Sequence, residues 1–290
     1  MTPFHFAEEI PGGCPSYCDA RAIILPVPYE HTTSYLKGTA RGPEAILTAS
    51  QEIELFDEKL GYEVYRLMSM HTLPSFPVDC CGAEFLAKLE SEVRIHLANG
   101  KLMVMLGGEH TITLAAVRAA RAIVSGIAVL QIDAHADLRD SYLGDPFSHA
   151  TVMRRVLEHA PVYQIGVRSL SAPEFDLVKA KAVTTLFCHD SSVGNINAFV
   201  DALPEEIYLT IDMDGFDPSV VPGVGTPEPG GLSWNSIDYI LDRVSTRCRI
   251  RAFDVVELRP LPNEARSEVT AARLIYRLLG YIARAENSEK

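Results

Sequence analysis

The 290-residue sequence has no apolar run able to span a membrane: its longest nearly apolar stretch, residues 122–130, is broken by Ser125 and Gly126 and falls far short of the ~20 residues required. The start, MTPFHFAEEIPGGC, lacks the basic and apolar regions of a secretory signal. These absences predict a soluble, cytoplasmic protein with no membrane partner. The six cysteines form no C-x-x-C pair. Cys80 and Cys81 are adjacent, and Cys14 and Cys18 share a Pro/Gly-rich segment without a second pair nearby, so reduced thiols are expected rather than a structural zinc. Basic charge is also scarce, with 26 Lys and Arg against 38 Asp and Glu. The resulting net charge of −12 opposes binding to nucleic acid or anionic membranes and mildly favours cationic ligands. No repeat, low-complexity tract or linker divides the chain, which reads as one domain over residues 1–290.

What is present is an ordinary globular composition, 47% apolar and 22% charged, in a chain long enough to bury a large core. Short β-rich runs recur at Ala22 to Val27, Leu102 to Leu106, Ile127 to Asp133, Val162 to Val167, Ile207 to Ile211 and Ile250 to Val255. Between them, Thr113 to Ile123, Ala150 to His159, Ala172 to Ala180 and Trp234 to Val244 read as amphipathic crossover helices. The expectation is an α/β fold of three layers, α/β/α, around a mainly parallel sheet.

Parallel sheets bind ligands beyond the carboxyl ends of their strands, so the polar residues that end each apolar run matter most. Here they are unusually acidic: Glu109-His110 after the second run, Asp133, His135 and Asp137 at the end of the third, Asp212 and Asp214 after the fifth, and Glu257 after the sixth. Spacing by two lets Asp133, His135 and Asp137 project toward one side, and Asp212 and Asp214 repeat the pattern. One such cluster alone is compatible with a helix cap or a solvated turn. Two such clusters point to metal, because carboxylates crowded into one cleft would otherwise repel one another and suffer desolvation. Two divalent ions would balance the four aspartates and leave a site suited to a cationic guanidinium. Oxygen-rich ligation with two imidazoles suits Mn²⁺, and a pair of such ions would activate a shared water for hydrolysis.

The segments GGEHTIT (107–113), QIDAHADLRD (131–140) and TIDMDGFDPS (210–219) together resemble the ureohydrolase family of arginases and agmatinases. Further likeness in TARGPEAI (39–46), FSHAT (147–151), GVGTPEPGGL (223–232), DVVELRP (254–260) and TAARLIYRLL (270–279) extends it over nearly the whole chain. The resemblance implies an arginase/deacetylase-like fold and two Mn²⁺ ions per subunit. One ion would be held by His110, Asp133, Asp137 and Asp212, the other by Asp133, His135, Asp212 and Asp214, with Asp133 and Asp212 bridging. It also implies catalytic roles for Asp137, as proton relay, for His149, as proton shuttle at the pocket mouth, and for Glu257, as partner of the substrate guanidinium. Thr226 would hydrogen-bond the guanidino end, and His149 and Glu257 would both contact substrate. A homotrimer or homohexamer is implied by the family alone. Read without the resemblance, Glu257 is a surface strand-end residue, and His149 is a cap for the helix near Ala150.

The sequence departs from the family at Leu258-Arg259, where many relatives carry Val and a small polar residue, so Arg259 is expected to reshape the pocket rim. Between Asp137 and His149, LRDSYLGDPFS does not resemble the Asn- and Ser-containing loop with which arginases hold an α-amino acid. Arginine is therefore disfavoured. The first expectation is hydrolysis of agmatine to putrescine and urea in polyamine synthesis, with N1-aminopropylagmatine or another guanidino compound as the alternative. A single-zinc amide hydrolase and a noncatalytic binding protein are the readings from other classes. Arg139, Asp140, Tyr142 and Arg168 are expected around the outer pocket, their side-chain directions being unreadable from sequence.

Overall fold

The computed structural model describes residues 5–8 and 10–288. Its frame is one sheet of eight strands: β1 (Ala22–Val27), β2 (Met70–Thr72), β3 (Leu102–Gly107), β4 (Ala128–Ile132), β5 (Val162–Val167), β6 (Thr184–Phe187), β7 (Glu206–Asp212) and β8 (Arg249–Val256). The strand order is β2-β1-β3-β8-β7-β4-β5-β6, and every pairing is parallel. Parallel neighbours require crossovers, supplied by α1 (Gly42–Ala49), α2 (Gly82–Ala98), α3 (Thr113–Ile123), α4 (Val152–Val156), α5 (Ala172–Lys179), α6 (Val193–Asp201) and α7 (Trp234–Arg247), with α8 (Arg266–Ser288) following the last strand.

Strand alternation divides the interior into two cores. Ile23, Leu25 and Val27 of β1 pack on one face with Phe85, Leu89 and Val93 of α2 and the alanine-rich side of α3. Ala22 and Ile24 face the other way, into a core with Ile46 of α1, Ile240 of α7 and Leu278 of α8. The 23-residue α8 buries Leu274, Ile275, Leu278, Leu279 and Ile282 along one stripe and places Arg273 and Arg284 outside that core. Among the described residues, no helix is long and apolar enough to cross a membrane.

The expected layering is the observed one, with local differences. The helix read over 150–159 is a 3₁₀ turn at His149–Thr151 followed by α4, only five residues long. Ser148 and Thr151 cap the turn reciprocally, so Ser148 takes the role considered for His149. Pro161 lies just beyond and disfavours helical backbone at Ala160. Two edge strands, β2 and β6, and four helices, α1, α2, α6 and α8, went unread in the sequence.

Candidate metal centre

The four central strands β3, β8, β7 and β4 end side by side, and parallel pairing turns all their carboxyl ends to one edge of the sheet. Close backbone approach fixes the loops there. A Cβ on Gly108 would lie 2.1 Å from the Tyr29 carbonyl oxygen, so only glycine fits. The Gly108 carbonyl accepts from Glu257 N at 2.8 Å, which joins the end of β3 to the end of β8. Asp137 and Glu257 both adopt left-handed backbone, φ +53° and +62°, a conformation costly for non-glycine residues and characteristic of functional turns.

Around the buried imidazole of His110, Nδ1 lies 3.2 Å from Asp133 Oδ2, 3.2 Å from Asp137 Oδ2 and 3.3 Å from Asp212 Oδ2. Beside it, His135 Nδ1 is 2.9 Å from Asp214 Oδ2 and 3.6 Å from Asp133 Oδ1. His110, Asp133 and Asp212 form one cluster of ligand atoms within 4.8 Å of one another, and Asp133, His135 and Asp214 form a second, with Asp133 common to both. His110 Nδ1 has no hydrogen-bond partner although it is fully enclosed. An enclosed nitrogen facing three carboxylates, with no thiol nearby, is the donor set of a hard or borderline divalent cation, so the residues fit a pair of such ions.

A surrounding set of polar groups holds these side chains. Gln131 Nε2 donates to Asp133 Oδ2 at 2.6 Å, and Gln164 Nε2 donates to Gln131 Oε1 at 2.5 Å. The Ala134 N–H donates to Asp214 Oδ1 at 3.1 Å, and the Thr226 hydroxyl donates to Asp214 Oδ2, also at 3.1 Å. The buried Glu109 carboxylate accepts from His31 N, Thr32 N and the hydroxyls of Thr32 and Thr111 at 2.5–2.7 Å. Thr32 Oγ1 in turn accepts from His149 N at 3.0 Å, which ties the loop after β1 to the segment carrying His149. Thr226 and Glu109 were named from the sequence, but Gln131, Gln164, His31, Thr32 and Thr111 were not. For the strand residues the available signal was a single polar side chain inside an apolar strand, as with Gln131, Gln164, Thr210 and Asp254.

Crowding dominates the electrostatics. Burial, then the charges of Asp214 and Asp133, push Asp212 well above the carboxylate range. Burial and the Asp133 charge raise Asp137 to about 7. Burial alone would lower the imidazole of His110, yet its contacts with Asp133, Asp137 and Asp212 leave it raised. Glu257 is raised by burial and by the neighbouring Glu109. His149 is lowered to about 4 by burial and by His135 and His110. Divalent ions would relieve the repulsion among the aspartates.

The cleft above the two clusters has a volume of about 210 Å³, and His110, Asp137, His149, Asp212, Thr226 and Glu257 all contribute to its wall. Glu257 Oε1 accepts from His110 N at 2.7 Å, so Glu257 is a buried cleft residue and not a surface strand end. His149 stands edge-on to Tyr142, its Nε2 enclosed and unpartnered. Of the outer residues, Arg139 lies over the Tyr142 ring, 5.5 Å from its centroid, and both line the cleft. Asp140 is exposed and paired with Arg155. Arg168 turns away from the opening and donates to the carbonyls of Gly166, Asp214, Gly215, Phe216, Glu228 and Pro229 at 2.8–3.3 Å. Arg259 donates to the Lys37 carbonyl at 2.9 Å, bracing the 30s loop.

The fold is shared with known proteins. Residues 20–280 match the Arginase family, and the chain belongs to it. An N(1)-aminopropylagmatine ureohydrolase from Synechocystis sp. is 38% identical over 277 residues, 92% of this chain and 90% of that protein. An agmatinase from Pyrococcus horikoshii is 33% identical, covering 92% and 93% of the two chains. The crystal structure of agmatine ureohydrolase of Thermoplasma volcanium superposes with a TM-score of 0.90 at 28% identity, over 100% of this chain and 98% of that one. The chain is thus a ureohydrolase, a hydrolase of guanidino compounds.

Proposed function

We propose that this ureohydrolase holds two Mn²⁺ ions and cleaves the guanidino group of an agmatine-type amine, N1-aminopropylagmatine in preference to agmatine. The observation that carries the metal reading is His110 Nδ1, enclosed without a partner amid Asp133, Asp137 and Asp212. One ion would rest on His110, Asp133, Asp137 and Asp212, the other on Asp133, His135, Asp212 and Asp214. When bound, such a pair lowers the pKa of a coordinated water toward neutrality and so supplies the nucleophile for hydrolysis.

The remaining work falls to the chain's own residues. Glu257 commits one oxygen to His110 N and so has a second for a substrate guanidinium, a charge-assisted contact. Asp137, on the cleft wall with Oδ2 3.2 Å from His110 Nδ1, is placed to take a proton and pass it to the departing amine. His149, neutral at physiological pH and with a free Nε2, accepts or donates a proton at the mouth. Thr226 gives its hydroxyl proton to Asp214, which leaves its oxygen to accept from the substrate guanidinium.

Two observations favour the longer amine over the agmatine first expected from sequence. The relative at 38% identity bears that activity in its name, against 33% for the agmatinase. A second hollow, lined by Arg139, Ser141, Ser171 and Glu174 among others, shares Arg139 and Glu174 with the cleft and lies beside it, where a longer substrate tail would reach. The test is urea release by the Mn²⁺-loaded protein from aminopropylagmatine, agmatine, arginine and guanidinobutyrate, beside a metal-free control. A higher kcat/KM on aminopropylagmatine supports the reading. Preference for agmatine overturns the substrate assignment, and absence of urea from all four overturns the enzymatic one.

A further inference from the structure

We propose that Asp254 and Thr210 are positioning residues that fix the tautomer of His110 and thereby build the ion site resting on its Nδ1. The inference rests on the metal reading of the proposed function. Asp254 is fully buried in the middle of β8, three residues before Glu257 and beyond reach of the cleft wall. Three hydroxyls converge on its carboxylate: Thr210 Oγ1 at 2.5 Å from Oδ1, with Tyr208 Oη at 2.5 Å and Thr113 Oγ1 at 2.8 Å from Oδ2. Parallel register places Asp254 directly opposite Thr210 on β7, and α3 brings Thr113 down from the adjoining layer.

Proton counting then sets the direction of the chain. A threonine hydroxyl has one proton and lone pairs to spare, and an ionised carboxylate only accepts. Thr210 spends its proton on Asp254, so its oxygen can only accept from His110 Nε2, which lies 2.9 Å away. With an ion in place of any Nδ1 proton, His110 must therefore carry hydrogen on Nε2 and turn its Nδ1 lone pair to the space among Asp133, Asp137 and Asp212. The opposite tautomer would aim an N–H into the place an ion needs. Tyr208, Thr210 and Asp212 alternate along β7, so one face of a single strand delivers both the orienting hydroxyls and a candidate ligand. A carboxylate acting on a metal-binding imidazole through an intermediary raises ligand basicity and locks the ring, and loss of such a partner costs roughly 10- to 100-fold in metal affinity.

The test is calorimetric titration of the metal-stripped full chain with Mn²⁺, comparing wild type, Thr210→Val and Thr210→Ser. Wild type is expected to bind two ions. Thr210→Val keeps the shape, loses the hydroxyl and should weaken one ion by roughly 10- to 100-fold while leaving the other within about threefold. Thr210→Ser restores the hydroxyl and should bind both ions within about threefold of wild type. Unchanged binding of both ions by folded Thr210→Val overturns the proposal, as does equal weakening of both, which marks a packing effect. Wild type that binds no Mn²⁺ overturns the metal reading itself, a separate failure visible before any variant is made. Should Thr210→Val not fold, ¹⁵N-resolved spectra of Zn²⁺-loaded wild type decide: a slowly exchanging, hydrogen-bonded Nε2 proton on His110 supports the proposal, and a freely exchanging one overturns it.

Discussion

Replacing Glu257 by Gln isolates charge from shape. Glu257 Oε1 accepts from His110 N at 2.7 Å, and the glutamine amide oxygen can accept that same bond, so the loop carrying His110 should stay in place. The N–H of Glu257 still reaches the Gly108 carbonyl, which preserves the left-handed turn at this position. What disappears is the negative charge facing the guanidinium. A hydrogen bond to a charged group contributes about 1.5–3 kcal/mol, which corresponds to a fall in kcat/KM of roughly 10- to 150-fold. The assay is urea release over a range of substrate concentrations, with bound Mn²⁺ measured on the same samples. Glu257→Gln should keep its metal and lose catalytic efficiency. If kcat/KM stays within about threefold of wild type with both ions bound, Glu257 does not pair with the substrate, and the guanidinium must be held elsewhere in the cleft.

Other outcomes follow from the same geometry. Chelation should lower the melting temperature, since an ion present at a hundredfold excess over its Kd stabilises by about 2.7 kcal/mol, or roughly 4–5 °C per ion in a chain of this size; a melt unmoved by chelator would contradict the metal centre. Arg277→Ala should destabilise by about 3 kcal/mol in urea, because it removes the nearer cation from the fully buried Asp57 and leaves only Arg273 at 3.6 Å. The double variant with Arg277→Met and Asp57→Asn should recover most of that loss, since the introduced amide oxygen can still accept from Lys59 N and Leu60 N, as the carboxylate of Asp57 does. His149 has its pKa lowered by burial to about 4 from 6.5, so its contribution to stability is complete above 6.5 and declines as pH falls toward 4. Wild type should therefore lose about 2 kcal/mol more than His149→Phe between pH 7 and pH 5 in paired urea titrations, and equal losses would exclude a buried neutral imidazole.

The gathering of acidic and imidazole groups at one sheet edge was legible because apolar runs stop where those residues begin, and because β1 is a nearly unbroken apolar run that marks its own bounds. The edge strands escaped because three residues of β2 and four of β6 are too short to display a period. Helix α4 was overdrawn because its five residues are cut off by a turn on one side and Pro161 on the other. Arg168 illustrates a different limit. Its position after β5 suggests a pocket rim, but its direction is decided by carbonyls from the loops after β7, 46 to 61 residues away in sequence. Gln131, Gln164 and Asp254 were invisible for the converse reason, since a lone polar residue in a strand becomes meaningful only when the partner strand is known.

Arg168 also gives the cleft two unequal walls. Its guanidinium nails the 214–216 and 228–229 backbone to the end of β5, so that side behaves as a fixed casting. Another part of the cleft rim, at Tyr142, is a small antiparallel turn between Tyr142 and Asp145, with Leu143 at its tip 90% exposed. Exchanges at the exposed Leu143 tip disturb almost nothing beneath it, while Tyr142 at its base reaches His149. A lineage can thus recut one jaw of the vice to grip a different amine while the anvil, and the chemistry fastened to it, stays untouched.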